Sequence, residues 1–536
     1  MNRSVLRVAV ANVRRHERAT GVFVLSLVLA HLLAVRCNAQ VARPTVTSQD
    51  CPAFAASFAP FVDGSETGSP LESPGGTQNL PPVPGAEPAS VLHGSSDPLW
   101  TPEIVPTVPE EDRRLPIEAS WSDGLRFQSD DKQYQFHFGG IVQVDSTWLI
   151  GPQTYFNAPG GASNGVGNAS ATLLRRAILE ADGSLYGQFD YFVEIDFSNA
   201  SNENSGLQPP SFGNLTSSPT PLNVWMQIRD VPVLGYVRFG NQSKPIGMEN
   251  NTSGAFLPFM ERSDNMDAFY APFDNGFALG IAAQNWTQSE RLTWRYGIFR
   301  PSTNDFGVAL DKYSIGARVT ALPWYEGDGR ELVHVGLGYW GGELVEDSLI
   351  DRARPLLRNA PGFAVPVLVD TGQIAGNQQY TIGPEFAMVL GPLTFQAEYA
   401  GQFLTDATNT NGVNQGTVFF HGGYIEALYF LTGEFQAYNR RDAVFDRVVP
   451  LHDYHLRKGD GQRGWGAWQV GLRFSYLDLN DKTIQGGTIS DWTAGLNWYF
   501  NPNMKFQLNY IAEYRDMSGV PPGWINGVGV RVAYDF

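Results

Sequence analysis

Segments of roughly ten residues in which apolar and polar side chains alternate recur from about residue 119 to the last residue, Phe536. In "GVGVRVAYDF", Val528, Val530, Val532, Tyr534 and Phe536 take every second place, with Arg531 and Asp535 between them. "FDYFVEIDF" sets Phe189, Tyr191, Val193, Ile195 and Phe197 against Asp190, Glu194 and Asp196. "YQFHFGGIVQVDSTW", "RLTWRYGIFR" and "LTFQAEYAGQF" repeat the pattern. A period of two sorts side chains onto opposite faces of a strand, and the spacing of a helix fits none of these stretches.

A two-faced sheet buries its apolar face against a second sheet, or turns it to lipid and keeps water inside. The connections decide between these. Tight ones at 231–235, 391–393 and 500–504 alternate with long ones at 149–170, 199–221, 243–274 and 342–377. Short turns on one side and long loops on the other are the asymmetry of an outer-membrane barrel. About sixteen runs can be counted, from 134–148 to a last trio at 491–500, 503–515 and 527–536. The fold class expected is therefore all-β: a transmembrane antiparallel β-barrel of about 16 strands, with inward-folded loops and a lumen wide enough for water. Parity makes 432–465 a periplasmic connection, too long for a turn and suited to folding back into the lumen. Phe536 then ends the closing strand at the periplasmic girdle, where barrel assembly machinery reads a terminal aromatic.

The N-terminus bears on location. Residues 1–39 carry arginines, then the apolar run "GVFVLSLVLAHLLAV", then Ala39 before a cut, the layout of an export signal. That run is short for a membrane span. Residues 40–118 are rich in Pro, Ser and Gly and read as a disordered spacer ahead of a barrel domain at 119–536. Only Cys51 remains after the signal, so no internal disulfide is expected. A formal net charge of -17 without a Lys/Arg run excludes duplex nucleic acid as a partner. No spacing of His, Cys or Ser suggests a catalytic or metal site, and no cofactor is expected. His137, His334, His421, His452 and His455 are scattered polar wall or loop residues.

Several blocks join a strand to its turn in a specific order: "LLRRAILEADG", "RFGNQSKPIGMEN", "YFLTGE", "GAWQVGLRFSYLDLND" and "DWTAGLNWYFNPN". Over nearly all of 130–536 the chain resembles the phosphate-selective porin O and P family. The resemblance implies a sixteen-stranded porin in the bacterial outer membrane, a homotrimer in contact with lipid, passing small anions such as phosphate by diffusion.

Anion passage needs Arg or Lys where a loop narrows the pore. The stretch from Lys244 to about Asp274, with a Gly-x-x-Lys-Pro-x-Gly pattern, is the constriction candidate, carrying Lys244 and Arg262. Strand phase turns Arg176, Arg238, Arg295, Arg318, Arg473 and Arg531 into the lumen as a basic track, and the inward acids Glu180, Glu194, Glu398 and Glu426 oppose it. The constriction stretch also holds Glu249, Glu261, Asp264 and Asp267, more carboxylates than cations. Arg352, Arg354 and Arg358 form a basic cluster on the 342–377 loop, read first as a solvated outer loop and second as an inward source of charge. A general or cation-preferring pore on the same scaffold therefore stays open, as does an envelope-anchoring structural role through the spacer.

Overall fold

A computed structural model describes residues 116–151, 168–198, 219–270, 276–301, 312–344, 347–357, 367–455 and 464–536. The export signal and nearly all of the spacer lie outside these residues, as does Arg358. Sixteen strands form one closed antiparallel sheet. In chain order they are β1 (Gln135–Ile150), β2 (Asn168–Leu185), β3 (Phe189–Asp196), β4 (Thr220–Val231), β5 (Gly235–Ser243), β6 (Phe277–Trp286), β7 (Leu292–Phe299) and β8 (Ser314–Glu326). There follow β9 (Glu331–Glu343), β10 (Gln378–Leu390), β11 (Leu393–Thr408), β12 (Asn414–Phe430), β13 (Ala467–Asp481), β14 (Ile484–Asn501), β15 (Met504–Met517) and β16 (Val520–Asp535).

Each strand pairs with its successor, and β16 pairs with β1 from Asn526↔Ile150 to Asp535↔Ile141. Closure leaves no edge, so the backbone meets its hydrogen-bond demand inside a hydrocarbon layer. Phe536 adds the last rung: its N–H donates to Gly140 O at 3.0 Å and its carbonyl accepts from Gly140 N at 2.8 Å. Its ring stacks on Tyr534, at 5.5 Å between centroids. The alternation sorts as the sequence demands. Along β1, Val142, Val144 and Trp148 are exposed on the outer face, whereas Gln143, Asp145 and Thr147 are buried inside.

The sixteen runs read from the sequence are all strands, with two extensions. The last hairpins reach further outward than expected, β14 starting at Ile484 and β16 at Val520, so the connection before β16 is a tight turn at 518–519. A short hairpin, Ile117–Trp121 with Leu125–Ser129, precedes β1 and pairs with its first residues, Leu125 opposite Phe138. It was not expected, because five-residue strands give too few alternations to read.

Among the described residues, three segments enter the lumen: parts of the loops between β5 and β6 and between β9 and β10, and of the periplasmic connection between β12 and β13. Apolar inward residues at the outer ends of β11–β16, including Leu404, Phe420, Leu477, Ile489, Ile511 and Ile525, form one buried cluster with Ile246, Met260 and Tyr270 of the first loop and Leu356 and Leu357 of the second. That half of the barrel is a packed core, contrary to a uniformly polar lumen.

Inward glycines make the seats for these loops. A Cβ at Gly338 of β9 would lie 2.7 Å from Ile246, and one at Gly495 of β14 would lie 3.0 Å from Phe259. Gly527 and Gly529, which open the C-terminal alternation, seat Leu357, and Gly529 also seats Met260. Removing a seat should displace the loop without touching the sheet. Gly338→Val is expected to leave the barrel heat-modifiable on gels and to change single-channel conductance in planar bilayers; an unchanged conductance would show that the Ile246 contact does not position the loop.

Candidate permeation pathway

The loop leaving β5 crosses the lumen and is fastened along its length. Backbone N–H groups of Met248 and Glu249, in a one-turn helix, donate to Glu398 of β11 at 2.8 and 2.7 Å. The Glu249 carboxylate accepts from Ser263 N and Oγ at 3.0 and 2.6 Å, and from Arg473 of β13 at 3.2 Å. Glu261 pairs with Arg175 of β2 at 2.8 Å and with Arg531 of β16 at 3.4 Å. Arg531 also holds Asp145 of β1 at 2.7 Å and Met260 O at 2.7 Å. Asp264 accepts from Ser475 at 2.9 Å, and Asp267 accepts from the backbone of Arg354 at 3.0 Å.

The loop between β9 and β10 folds in behind it. Leu356 N donates to Glu513 of β15 at 2.6 Å, and Gln402 of β11 donates to Asp351 at 2.5 Å. Arg352 and Arg354 are buried. For Arg352 and Arg354 the solvated outer-loop reading is thereby corrected: the apolar run Leu356–Leu357 draws the segment inward. From the periplasmic side, the described part of the 432–465 connection enters, as its length suggested. Arg318 of β8 binds Glu385 of β10 bidentately, at 2.8 and 2.7 Å, and donates to Asp442 O and Ala443 O at 2.9 and 2.7 Å. His334 Nδ1 lies 2.7 Å from Tyr438 Oη and Nε2 lies 3.2 Å from Glu385, so this histidine is a structural partner.

Two open chambers lie against β1–β8. One chamber of about 360 Å3 is bounded by Arg175, Arg176, Glu180, Glu194 and Asp196 on the wall and by Thr252 and Arg262 on the loop. A second, of about 220 Å3, is bounded by Trp225, Arg238, Arg295, Arg318, Arg441 and Asp442. The two adjoin, sharing Phe192, Asn223, Ser243 and Asn251.

The residues singled out in the sequence divide by their partners. Arg176 donates to Gln143 at 2.6 Å, Arg238 to Gln227 at 3.0 and 3.2 Å, and Arg295 to Gln242 Oε1 at 2.8 Å and to Ser243 at 2.9 and 3.2 Å, all neutral acceptors. Arg295 and Arg318 are cross-strand neighbours. Arg262 lines the larger chamber and donates to Glu249 O and Thr252 O at 3.0 and 2.7 Å. Lys244 is buried, with Nζ 3.0 Å from Tyr270 O. Arg473 and Arg531 are fully buried under the loop, so they fasten it and do not face a permeant.

Strand phase alone missed Arg175. A bulge between Gln143/Val144 on the β1–β2 ladder breaks the alternation there and brings Arg175 as well as Arg176 inside. Trp225 and Phe192 were also missed as lumen residues, although their phase with Asn223 and Glu194 carried the signal. Arg441 and Asp442 had no signal, because their position depends on the fold of the periplasmic segment.

The model of the family phosphate-selective porin O and P matches residues 151–536. The chain belongs to this family. Relatives of this porin include an uncharacterized protein of Caulobacter vibrioides, 26% identical over 447 residues, covering 80% of this chain and 79% of that one. Another is Porin O of Pseudomonas aeruginosa, 25% identical over 420 residues, covering 73% and 86%. Among solved structures, the outer membrane channel DcaP of Acinetobacter baumannii is similar at 10% identity and a TM-score of 0.44, over 76% of this chain and 99% of that one. The anion-selective porin from Comamonas acidovorans is similar at 14% and 0.41, over 75% and 100%.

A carboxyl group in the second inward loop is shifted upward by burial. Burial pushes the Asp351 carboxyl up to about 7, against the lowering effect of the Gln402 hydrogen bond, and Asp370 adds to the rise. The folded value lies above the unfolded one, so the folded state binds more protons. This group's stabilisation is complete in acid and is lost as pH rises through about 7. Hydrogen exchange at 348–357, corrected for its intrinsic pH dependence, is expected to quicken from pH 5 to 8, and Asp351→Asn to flatten that change. Equal protection at both pH values in the unmodified protein would count against it.

Proposed function

We propose that this outer-membrane porin passes small anions, phosphate among them, by diffusion along the β1–β8 wall. The observation that carries the reading is the division of charges. The constriction loop's carboxylates Glu249 and Glu261 are engaged by Arg473, Arg175 and Arg531. Arg176, Arg238 and Arg295 hydrogen-bond only neutral groups among the described residues. A positive charge held by neutral partners keeps its field for a passing ion, whereas a paired one largely cancels. The family resemblance adds homotrimeric assembly, and the residue patterns at the two ends add export through residues 1–39 and recognition of Phe536 during insertion; no catalytic step belongs to this reading.

A general or cation-tolerant pore is the second reading, favoured by Glu180 and Glu194. They are cross-strand neighbours in the larger chamber, and Glu194 accepts from Asn223 at 2.6 Å. The reversal potential of the purified protein under a KCl gradient separates the two. Anion preference is expected, with added phosphate reducing the chloride current. Arg238→Gln with Arg295→Gln should lower the anion-to-cation permeability ratio by roughly threefold to tenfold. Cation preference in the unmodified protein would overturn the proposal.

A further inference from the structure

The smaller chamber is not an even ring of donors. Arg238 lies over the Trp225 ring at 3.8 Å, and Phe192 meets the same indole edge-on at 5.7 Å between centroids. One side of the chamber is therefore aromatic. The other carries Arg295 and Arg318, cross-strand neighbours on the wall. Asp442 is the one carboxylate among the residues that bound it, and it already accepts from Gln284 at 3.3 Å and Asn439 at 3.0 Å. The indole Nε1 of Trp225 is buried and has no protein partner among the described residues.

These features specify more than negative charge. Inorganic phosphate presents oxygen on every side and gains nothing from an aromatic wall, which strips its hydration without replacing it. A carboxylate on an aromatic ring has one anionic edge and one apolar body. Its edge matches the guanidinium groups, where bidentate contacts are strong, and its body fills the space beside Phe192 and Trp225. A buried indole N–H without an acceptor is costly, and a carboxylate oxygen is an acceptor that would remove that cost. The Trp225 ring also packs against the Arg238 guanidinium, helping to order it before a solute arrives. A volume of about 220 Å3 suits a small molecule and lies below the usual range for drug-sized ligands.

We infer that this chamber is a subsite for small aromatic carboxylates, with Arg238 and Arg295 taking the carboxylate and Trp225 and Phe192 taking the ring. The inference rests on the anion reading above and narrows it to a substrate class.

Benzoate and acetate carry the same charge at pH 7 and differ in the ring, so the ratio of their half-blocking concentrations on the chloride current tests the aromatic wall directly. With the full-length protein in planar bilayers, benzoate is expected to block at a concentration at least about tenfold below acetate and below phosphate. Trp225→Phe should keep most of that ratio, and Trp225→Leu should bring it toward one. If Trp225→Leu yields no channels, Phe192→Leu serves in its place, with the same fall expected. A ratio near one in the unmodified protein, a ratio unchanged in the leucine variant, or stronger block by phosphate than by benzoate would overturn the subsite. The reversal potential in the same membranes reads the anion preference separately: cation preference overturns the underlying reading, whereas anion preference with equal block by acetate and benzoate overturns the subsite alone.

Discussion

The ion pair between Arg531 of β16 and Asp145 of β1 is the contact on which most of this structure depends. It lies on the seam where the last strand meets the first, with both side chains fully buried and the two residues paired in register. The same guanidinium binds Met260 O and Glu261, and Glu261 reaches on to Arg175. Asp145, Arg531, Glu261 and Arg175 thus form a run of alternating charge from the wall to the loop and back to the wall. Two acids balance two bases, which makes the burial tolerable; removing any one member strands a charge at a cost of about 3–5 kcal/mol. Closure of the sheet and placement of the loop therefore share one network.

That coupling explains the asymmetry of the lumen. Over β9–β16, glycines remove side chains where Ile246, Phe259, Met260 and Leu357 must approach the wall, and the inward apolar residues above them bury the second loop. Apolar burial at about 25 cal/mol per Å2 favours this filling, and the ion pairs fix its direction. The open chambers are thereby left along β1–β8, and Arg176, Arg238, Arg295 and Arg318, which line them, stand on strands. Side chains on strands hold position better than side chains on loops, which suits a pore that must attract an ion and then release it.

Most of the barrel was legible because alternation and loop asymmetry are local signals that repeat sixteen times. The inward direction of Arg238, Arg295 and Arg318 followed from phase for the same reason. Which arginines keep their charge for the lumen was not legible. Arg531 and Asp145 are 386 residues apart in sequence, and Arg473 and Glu249 are 224 apart, so no local pattern announces either pair. The extra inward Arg175 required a bulge, and phase counting assumes none. The inward fold of Arg352 and Arg354 was misjudged because a charged cluster usually solvates; the apolar residues after it, seated on glycines of a distant strand, decided the matter.

The net charge of -17 and the character of the pore belong to different scales. Exposed charges beyond a Debye length, about 8 Å at physiological ionic strength, are screened from an ion in the bore, so the sum over the chain says little about what passes. What the ion meets is the local set that no partner cancels. The smaller chamber is not lined by the wall alone: Arg318 is oriented by carbonyls of Asp442 and Ala443, and Arg441 and Asp442 come from the periplasmic segment. Arg440 and Arg441 are themselves tied to Glu290, in the turn between β6 and β7. The segment that sequence parity assigned to the periplasm thus completes the basic floor of the pathway. Selectivity on this scaffold can change by altering a connection outside the membrane while every strand stays as it is.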